Sequence, residues 1–275
     1  MSLDIPVREW IEQLVDLLLT HAQGLFDVIS IALDGLTYGV EELLLWPPSW
    51  LMLALLTAIA WWRVSWRFAI FTAASLVLIM GMGLWRETVE TLALVLSATL
   101  ASLLLGIPLG IWAALNDTVE KTIRPILDLM QTMPAFVYLI PAAMFFGLGR
   151  VPGVVATFVF AMPPAVRLTN LGIRQVPIEL VEAGLAFGCT TRQLLFKVQL
   201  PGARPSIMAG VNQTIMLALS MVVIASMIGA GGLGDVVLTG IQRLDVGLGF
   251  EGGLGVVILA IILDRITQSF GSGPS

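Results

Sequence analysis

Side chains able to carry covalent or metal chemistry are scarce in this sequence. One cysteine, Cys189, leaves no second thiol for a disulfide within the chain or for a thiolate metal site. One histidine, His21, rules out a histidine cluster. A hydrolase needs a nucleophile with a base or a metal, so that class is set aside. The run Gly229-Ala230-Gly231-Gly232-Leu233-Gly234 is supple enough to cradle a phosphate, but the Lys-Ser/Thr that follows such a loop is missing. It reads instead as a sharp turn at a helix end. The pattern that stands out is Glu182-Ala183-Gly184, then Gly188, then Leu200-Pro201. Those residue types suit a turn between helices and a docking surface, not catalysis.

The elements that must position this pattern are membrane helices. Of 275 residues, 57% are hydrophobic and 12% charged, whereas a soluble domain carries charge on roughly a quarter of its residues. A bilayer crossing takes ~20 apolar residues, so about seven crossings plus loops would use almost the whole chain. A net charge of −5 argues against a nucleic-acid partner. Eight of the nineteen carboxylates lie in the first 48 residues, opposed by Arg8 alone. An acidic, amphipathic start does not resemble a cleavable signal peptide. An all-α, polytopic membrane protein is therefore expected.

Residues 8–20 follow a helical period, with Ile11, Leu14, Val15 and Leu18 on one face and Glu9, Glu12 and Asp16 on the other. Residues 25–45 do likewise, with Asp27, Asp34 and Glu41 seven apart. These helices either lie along the membrane interface or pack against the crossing helices; both readings stand. Trp46-Pro47-Pro48 breaks the pattern. Crossings are expected at 50–62, 68–85, 91–116, 125–149, 151–168, 206–230 and 252–270, the last weakened by Asp264 and Arg265. Seven of the eight tryptophans fall near the ends of these spans, where an amphipathic ring prefers to sit.

Basic residues orient the chain. With 174–204 in the cytosol, that side collects Arg63, Arg67, Lys121, Arg124, Arg167, Arg174, Arg192, Lys197, Arg204 and Arg265; the other collects Arg8, Arg86, Arg150 and Arg243. The bias places the N-terminus outside and the C-terminus inside.

Within 174–204 the periodicity predicts two short helices. Val181, Leu185 and Ala186 share a face of the first, and Leu194, Leu195 and Val198 a face of the second. Gly188 permits a sharp turn between them, and Pro201 marks where the second gives way to the sixth crossing. Composition alone favours an ordinary solvated loop over a docking surface. The string Glu-Ala-Gly-x3-Gly-x11-Leu-Pro, however, resembles the "EAA" loop of ABC-importer permeases, with Gly184 where the family has alanine, a change that loosens the helix slightly. The stretches DLMQTMPAFVYLIPAAMFFGLGRVPG (128–153), PPAVRLTNLGIRQVP (163–177), NQTIMLALSMVVIASMIGAGGLGDVVL (212–238) and IQRLDVGLGFEGGLGVVILAIILDRITQ (241–268) are similar to permeases for glycine betaine, proline betaine and choline.

That resemblance, over about 86–270, implies a five-helix type I importer core in an inner membrane. It implies that Glu182, Ala183, Gly184, Gly188, Leu200 and Pro201 form a coupling loop docked on a separate ATPase. It also implies two ATPase subunits, a second copy of this chain and an external binding protein. No cofactor is expected here, since ATP would be bound by the partner. The chain divides into an external amphipathic region (1–48), two additional transmembrane helices (49–85), the permease core (86–270) with its loop 174–204, and a tail (271–275).

Pro134, Pro141, Pro163 and Pro164 interrupt crossings four and five, as kinks or as lining of a path. Asn212, Gln213, Ser220 and Ser226 either line that path or bond between helices. Gly231 and Gly232 are candidate gate residues. Asp128 is expected to pair with Arg124, Cys189 to pack near the turn, and His21 to be silent at the interface. The rival class, an ion-coupled carrier or channel, would want carboxylates near the membrane midplane, and these crossings have almost none.

The basic asymmetry generates a topology prediction. Single cysteines at Asp4 and Val119, in a Cys189→Ser background, should label with an impermeant reagent from outside and from the cytosol respectively. Labelling of both from one side would refute the arrangement.

Overall fold

Apolar periodicity and proline placement cut the chain into helices joined by short breaks. The computed structural model describes residues 7–271, and every regular element among them is helical. Asp4 and the tail beyond Gly271 lie outside the described residues. The elements are α1 (Val7–His21), α2 (Gln23–Leu45), α3 (Ser49–Arg63), α4 (Trp66–Gly81), α5 (Trp85–Leu115), α6 (Asp117–Thr132), α7 (Leu139–Phe146), α8 (Arg150–Arg174), α9 (Ile178–Ala186), α10 (Thr191–Leu194), α11 (Leu200–Ser220), α12 (Val222–Ser226), α13 (Leu233–Arg243) and α14 (Val246–Gly271).

By length and apolar composition α5, α8 and α14 can each cross a bilayer. The pairs α2–α3, bent by 96°, and α6–α7, bent by 108°, qualify only taken together, as broken spans or re-entrant loops. The seven continuous crossings expected from hydropathy are thus not found as such. The fourth, 125–149, breaks at Pro134, which caps a 3₁₀ turn Ala135–Tyr138 before α7. Proline disfavours helical angles at the residue before it, and Met133 is accordingly extended, at ψ 135°. The sixth, 206–230, begins earlier, at Leu200, and ends at Ser220, followed by the short α12 and a glycine turn. The third starts at Trp85 rather than Thr91, so Glu87 and Glu90 lie in its opening turns. The seventh is not interrupted: α14 runs 26 residues because Asp264 accepts from Asn212 of α11 at 2.8 Å and from Gln268 at 2.7 Å. Helix α13, amphipathic and folded back on α14, was not anticipated.

The α1 pattern holds where side chains are described: Val15 is buried while Glu12 and Asp16 are exposed; Ile11 and Leu14 lie outside the described side chains. Of the two readings of 25–45, packing against other helices is the one seen. Phe26 stacks on Phe145 of α7 at 4.6 Å between ring centroids, and Thr37 and Glu41 are buried. Asp27 and Asp34 face outward, so the three acids do not share one environment.

At the centre α5, α8 and α11 approach closely through small residues. A Cβ built on Gly106 would stand 2.8 Å from Ala165 Cβ, and one on Gly110 2.7 Å from the Val166 carbonyl. On the other flank of α8, Gly172 sits against Ser206 and Gly210 against the Pro164 carbonyl. These pairings make α5 parallel to α8 and α11 antiparallel to both. Without a strong hydrophobic drive between helices in lipid, such close backbone contact supplies the dispersion that associates them. Pro163 and Pro164 lie inside α8, which stays continuous and buries both rings.

Gly110→Val should therefore destabilise the fold by ~1–3 kcal/mol, the usual cost of overpacking. Gly24→Ala, whose Cβ meets nothing within 4 Å, should be neutral. Helix content during graded denaturation in detergent checks both.

Candidate functional site: the α9–α10 loop and its opposite end

The loop takes its shape from two capping motifs in sequence. At the end of α9, Cys189 N–H donates to the Gly184 carbonyl at 3.0 Å and Gly188 N–H to the Leu185 carbonyl at 2.9 Å. This pair is a Schellman motif with Gly188 at its left-handed position, φ +77°. One residue later Thr190 Oγ1 accepts from Gln193 N–H at 3.3 Å while Gln193 Oε1 accepts from Thr190 N–H at 2.9 Å. That is a capping box, and it fixes the start of α10. Gly188 was legible in the sequence; the Thr190–Gln193 pair was legible too but went unread.

Packing revises three expectations. The inward face of α9 is Val181 and Gly184, whereas Leu185 and Ala186 are exposed. Gly184 is a contact as well as a loosened alanine position: a Cβ there would stand 2.8 Å from Leu194 Cδ1, the flexible end of that side chain, which would have to shift. Leu194 and Leu195 are buried as expected, with Val198 half-buried. Finally, Pro201 does not end the second helix. A π turn, Leu195–Gln199, carries α10 straight into α11, and Pro201 lies in the first turn of α11. Proline offers no N–H and would crowd the Lys197 carbonyl in a regular helix, and the wider π turn relieves this. The loop is thus one mechanical piece with the long helix behind it.

Outward, the loop presents Glu179, Glu182 and Ala183 beside Ile178, Leu180, Leu185 and Phe187, the last 90% exposed. A bare apolar tip flanked by carboxylates has the composition expected of a docking surface. Cys189 is half-buried beside the turn, and His21 is exposed, its Nδ1 3.1 Å from the Leu17 carbonyl.

The same end of the bundle gathers charge. Arg174 of α8 donates to Asp117 at 2.7 Å and to the Ala113 carbonyl at 2.8 Å, with Glu120 Oε2 at 3.3 Å. Arg167 pairs with Asp128 at 2.5 Å, so Asp128 takes its partner from α8 rather than from Arg124. Arg124 lines the adjoining cavity of about 310 Å³. Arg63 reaches the Ser269 carbonyl at 3.2 Å, and Arg204 the Phe270 carbonyl at 3.5 Å. Residues assigned to one side by sequence are therefore brought to one end.

Among the pathway candidates, Asn212 bonds between helices, giving to Asp264 and accepting from Thr267 Oγ1 at 2.6 Å. Ser226 is buried, donating to the Val222 and Gly231 carbonyls. Gln213 is exposed, and Ser220 is exposed with its hydroxyl on the Leu217 carbonyl at 2.7 Å. Pro141 lines an apolar cavity of about 490 Å³ with Phe26, Phe145 and Phe146. Gly231 and Gly232, at the far end from the loop, take φ +79° and +74°. A Cβ on Gly232 would meet Thr91 Oγ1 at 2.5 Å, and Gly232 N–H donates to Glu90 at 3.2 Å. Glu90, which sequence reasoning passed over, is therefore part of this turn.

The profile of the family described as "Binding-protein-dependent transport system inner membrane component" matches residues 106–272. The glycine betaine/proline betaine transport system permease protein ProW of Escherichia coli (strain K12) is 53% identical over 97% of this chain and 75% of its own length. The glycine betaine/carnitine transport permease protein GbuB of Listeria monocytogenes is also 53% identical, over 97% of this chain and 95% of its own. Among solved structures, a chain of the MetNI methionine ABC transporter superposes with a TM-score of 0.61 at 24% identity, covering 70% of this chain and 97% of that one.

The loop geometry yields a test on the described turn. Gly188→Val should cost about 1–2 kcal/mol locally, since the left-handed region resists a side chain, and should speed alkylation of neighbouring Cys189. Gly188→Asn, tolerated at such positions, should leave that rate near wild type. Equal rates for both variants would show that the turn does not need its positive angle.

Proposed function

The chain belongs to the binding-protein-dependent transport system inner membrane components, and we propose that the solute it carries is a quaternary ammonium compound such as glycine betaine, proline betaine or choline. As a permease of an ABC importer it is a transport subunit, not an enzyme. Its family works with an ATPase and a substrate-binding protein. The observation that carries the substrate class is the high identity, along nearly the whole chain, to permeases named for glycine betaine. The importer fold, superposing on a methionine ABC transporter, sets aside the ion-coupled carrier.

In this reading two copies of the chain assemble, each offering one loop to one ATPase subunit, which binds the ATP. The bare apolar tip around Phe187 and the carboxylate of Glu182 supply the docking contacts, while Gly184, Gly188, Leu200 and Pro201 hold the loop to α11. The loop end faces the cytosol and the N-terminus lies outside, in keeping with the clustered arginines. Solute recognition falls to the external binding protein. A cation–π cage needs clustered aromatics, and here there are two tyrosines, with most tryptophans exposed on the periphery. Pro134, Pro141, Gln213, Ser220, Gly231 and Gly232 are the candidates for the path and its gate. Asn212 is committed to α14.

Reconstituted with its ATPase and binding protein, the chain should give ATP-dependent glycine betaine uptake, and the complex should contain two copies of it by native mass. Glu182→Lys, reversing charge at the docking surface, should abolish uptake at equal protein level. Uptake without the ATPase, or unchanged uptake in the Glu182→Lys variant, would overturn the assignment.

A further inference from the structure

At the end opposite the loop, four charges from three helices meet the glycine turn. Glu41 of α2 is buried and ion-paired with both terminal nitrogens of Arg150, the first residue of α8; Nη2 lies 3.4 Å from Oε1. The same Nη2 lies 3.9 Å from Oε1 of Glu90 on α5. Glu90 accepts from Arg86 Nε at 3.1 Å through Oε1 and from Gly232 N–H at 3.2 Å through Oε2. Next to it Leu233 N–H donates to Thr91 Oγ1 at 2.8 Å, and Gly149 N–H to the Ile228 carbonyl at 2.7 Å. Arg150 therefore stands between two carboxylates, one on α2 and one that holds the turn.

We propose that Glu41 is a positioning residue for transport: it draws Arg150 away from Glu90, leaving that carboxylate to hold the turn at Gly232. The physical reason is the orientation of one carboxylate: Arg150 faces Glu90 Oε1, while Gly232 is held by Oε2. A guanidinium close to a carboxylate makes a charge-assisted bond that outranks a neutral backbone N–H. With the charge on Glu41 removed, Arg150 is free to take both oxygens of Glu90 in a bidentate pair, which turns Oε2 toward the guanidinium and away from the Gly232 N–H. The turn then opens more readily. Its motion reaches the loop through α12 and, past the break at Met221, the helical run from Ser220 back to Thr191 through the π turn. Glu41 and Glu90 both precede the residues matched by the family profile, so a segment outside the matched region restrains a turn inside it.

The proposal rests on the importer reading and is tested by the number of solutes moved per ATP in reconstituted vesicles. Glu41→Gln should lower that ratio roughly fivefold, within the usual range of coupling between sites, by raising hydrolysis that moves no solute. Adding Arg150→Gln should restore it, since the competitor is gone; a merely structural ion pair would make the double variant no better than the single. Should Glu41→Gln fail to accumulate, Glu90→Ala carries the test, because it deletes the acceptor and must lower the ratio by itself. An unchanged ratio in the Glu41→Gln variant, no restoration in the double, or an unchanged ratio in the Glu90→Ala variant would each overturn the proposal. Absence of ATP-driven uptake by the wild-type complex would instead overturn the importer reading.

Discussion

Close backbone contact along α8 is the constraint from which the rest of the architecture follows. Gly106 and Gly110 admit α8 on one flank, and Gly172 and Gly210 admit α11 on the other. Spacing of four residues on α5, matched by Ala165 and Thr169 four apart on α8, sets the two helices parallel. Parallel neighbours demand a return connection as long as the helices themselves. The chain between Leu115 and Arg150 supplies it with α6 and α7, folded at Pro134 rather than crossing straight. The return is required by the packing, while the bend that defeats a simple hydropathy count is set locally at Pro134.

Parallel α5 and α8 also sort polar groups to the two ends. Their C-termini meet the start of α11 and the end of α14, where Arg174 and Arg167 neutralise the acids of α6. Their N-termini meet the glycine turn, where Arg150 and Glu90 lie side by side. Between the ends, the polar exceptions are hydroxyls and the Asn212–Asp264–Thr267 group. Thr157 and Thr214 bond within their own helices, Ser102 also reaches the Phe158 carbonyl of α8, and Thr72, Ser97, Thr99 and Thr169 have no partner among the described residues. Buried polar atoms are costly without partners, and the Asn212–Asp264–Thr267 group shows how α14 tolerates an aspartate. The carboxylate is held by amides from its own helix and from α11.

Loop and bundle form one mechanical unit. The Schellman turn at Gly188 and the capping box at Thr190 make a short rigid hairpin, and the π turn at Leu195–Gln199 joins it to α11 without a hinge. A force on the exposed tip is therefore borne by α11, which ends at Ser220 and is followed by α12 and the glycine turn. The apolar residues left bare at that tip, Phe187 above all, stay exposed among the described residues, as fits a subunit that works in an assembly.

The sequence by itself determined what local rules and composition can determine. It set the membrane class, the helical period, the break at Trp46-Pro47-Pro48, the turn at Gly188 and the family likeness of the Glu182–Pro201 segment. Each depends on near neighbours or on overall polarity. Tertiary structure decided the rest. Arg167 took Asp128 from Arg124, Asn212 rescued Asp264, and Gly184 proved to be a contact with Leu194. It also set Glu41 apart from Asp27 and Asp34, burying one acid of a regular series against Arg150. Those outcomes turn on partners tens of residues away. A side chain's fate there follows from which helix lies beside it, and the spacing of its own helix carries no record of that neighbour.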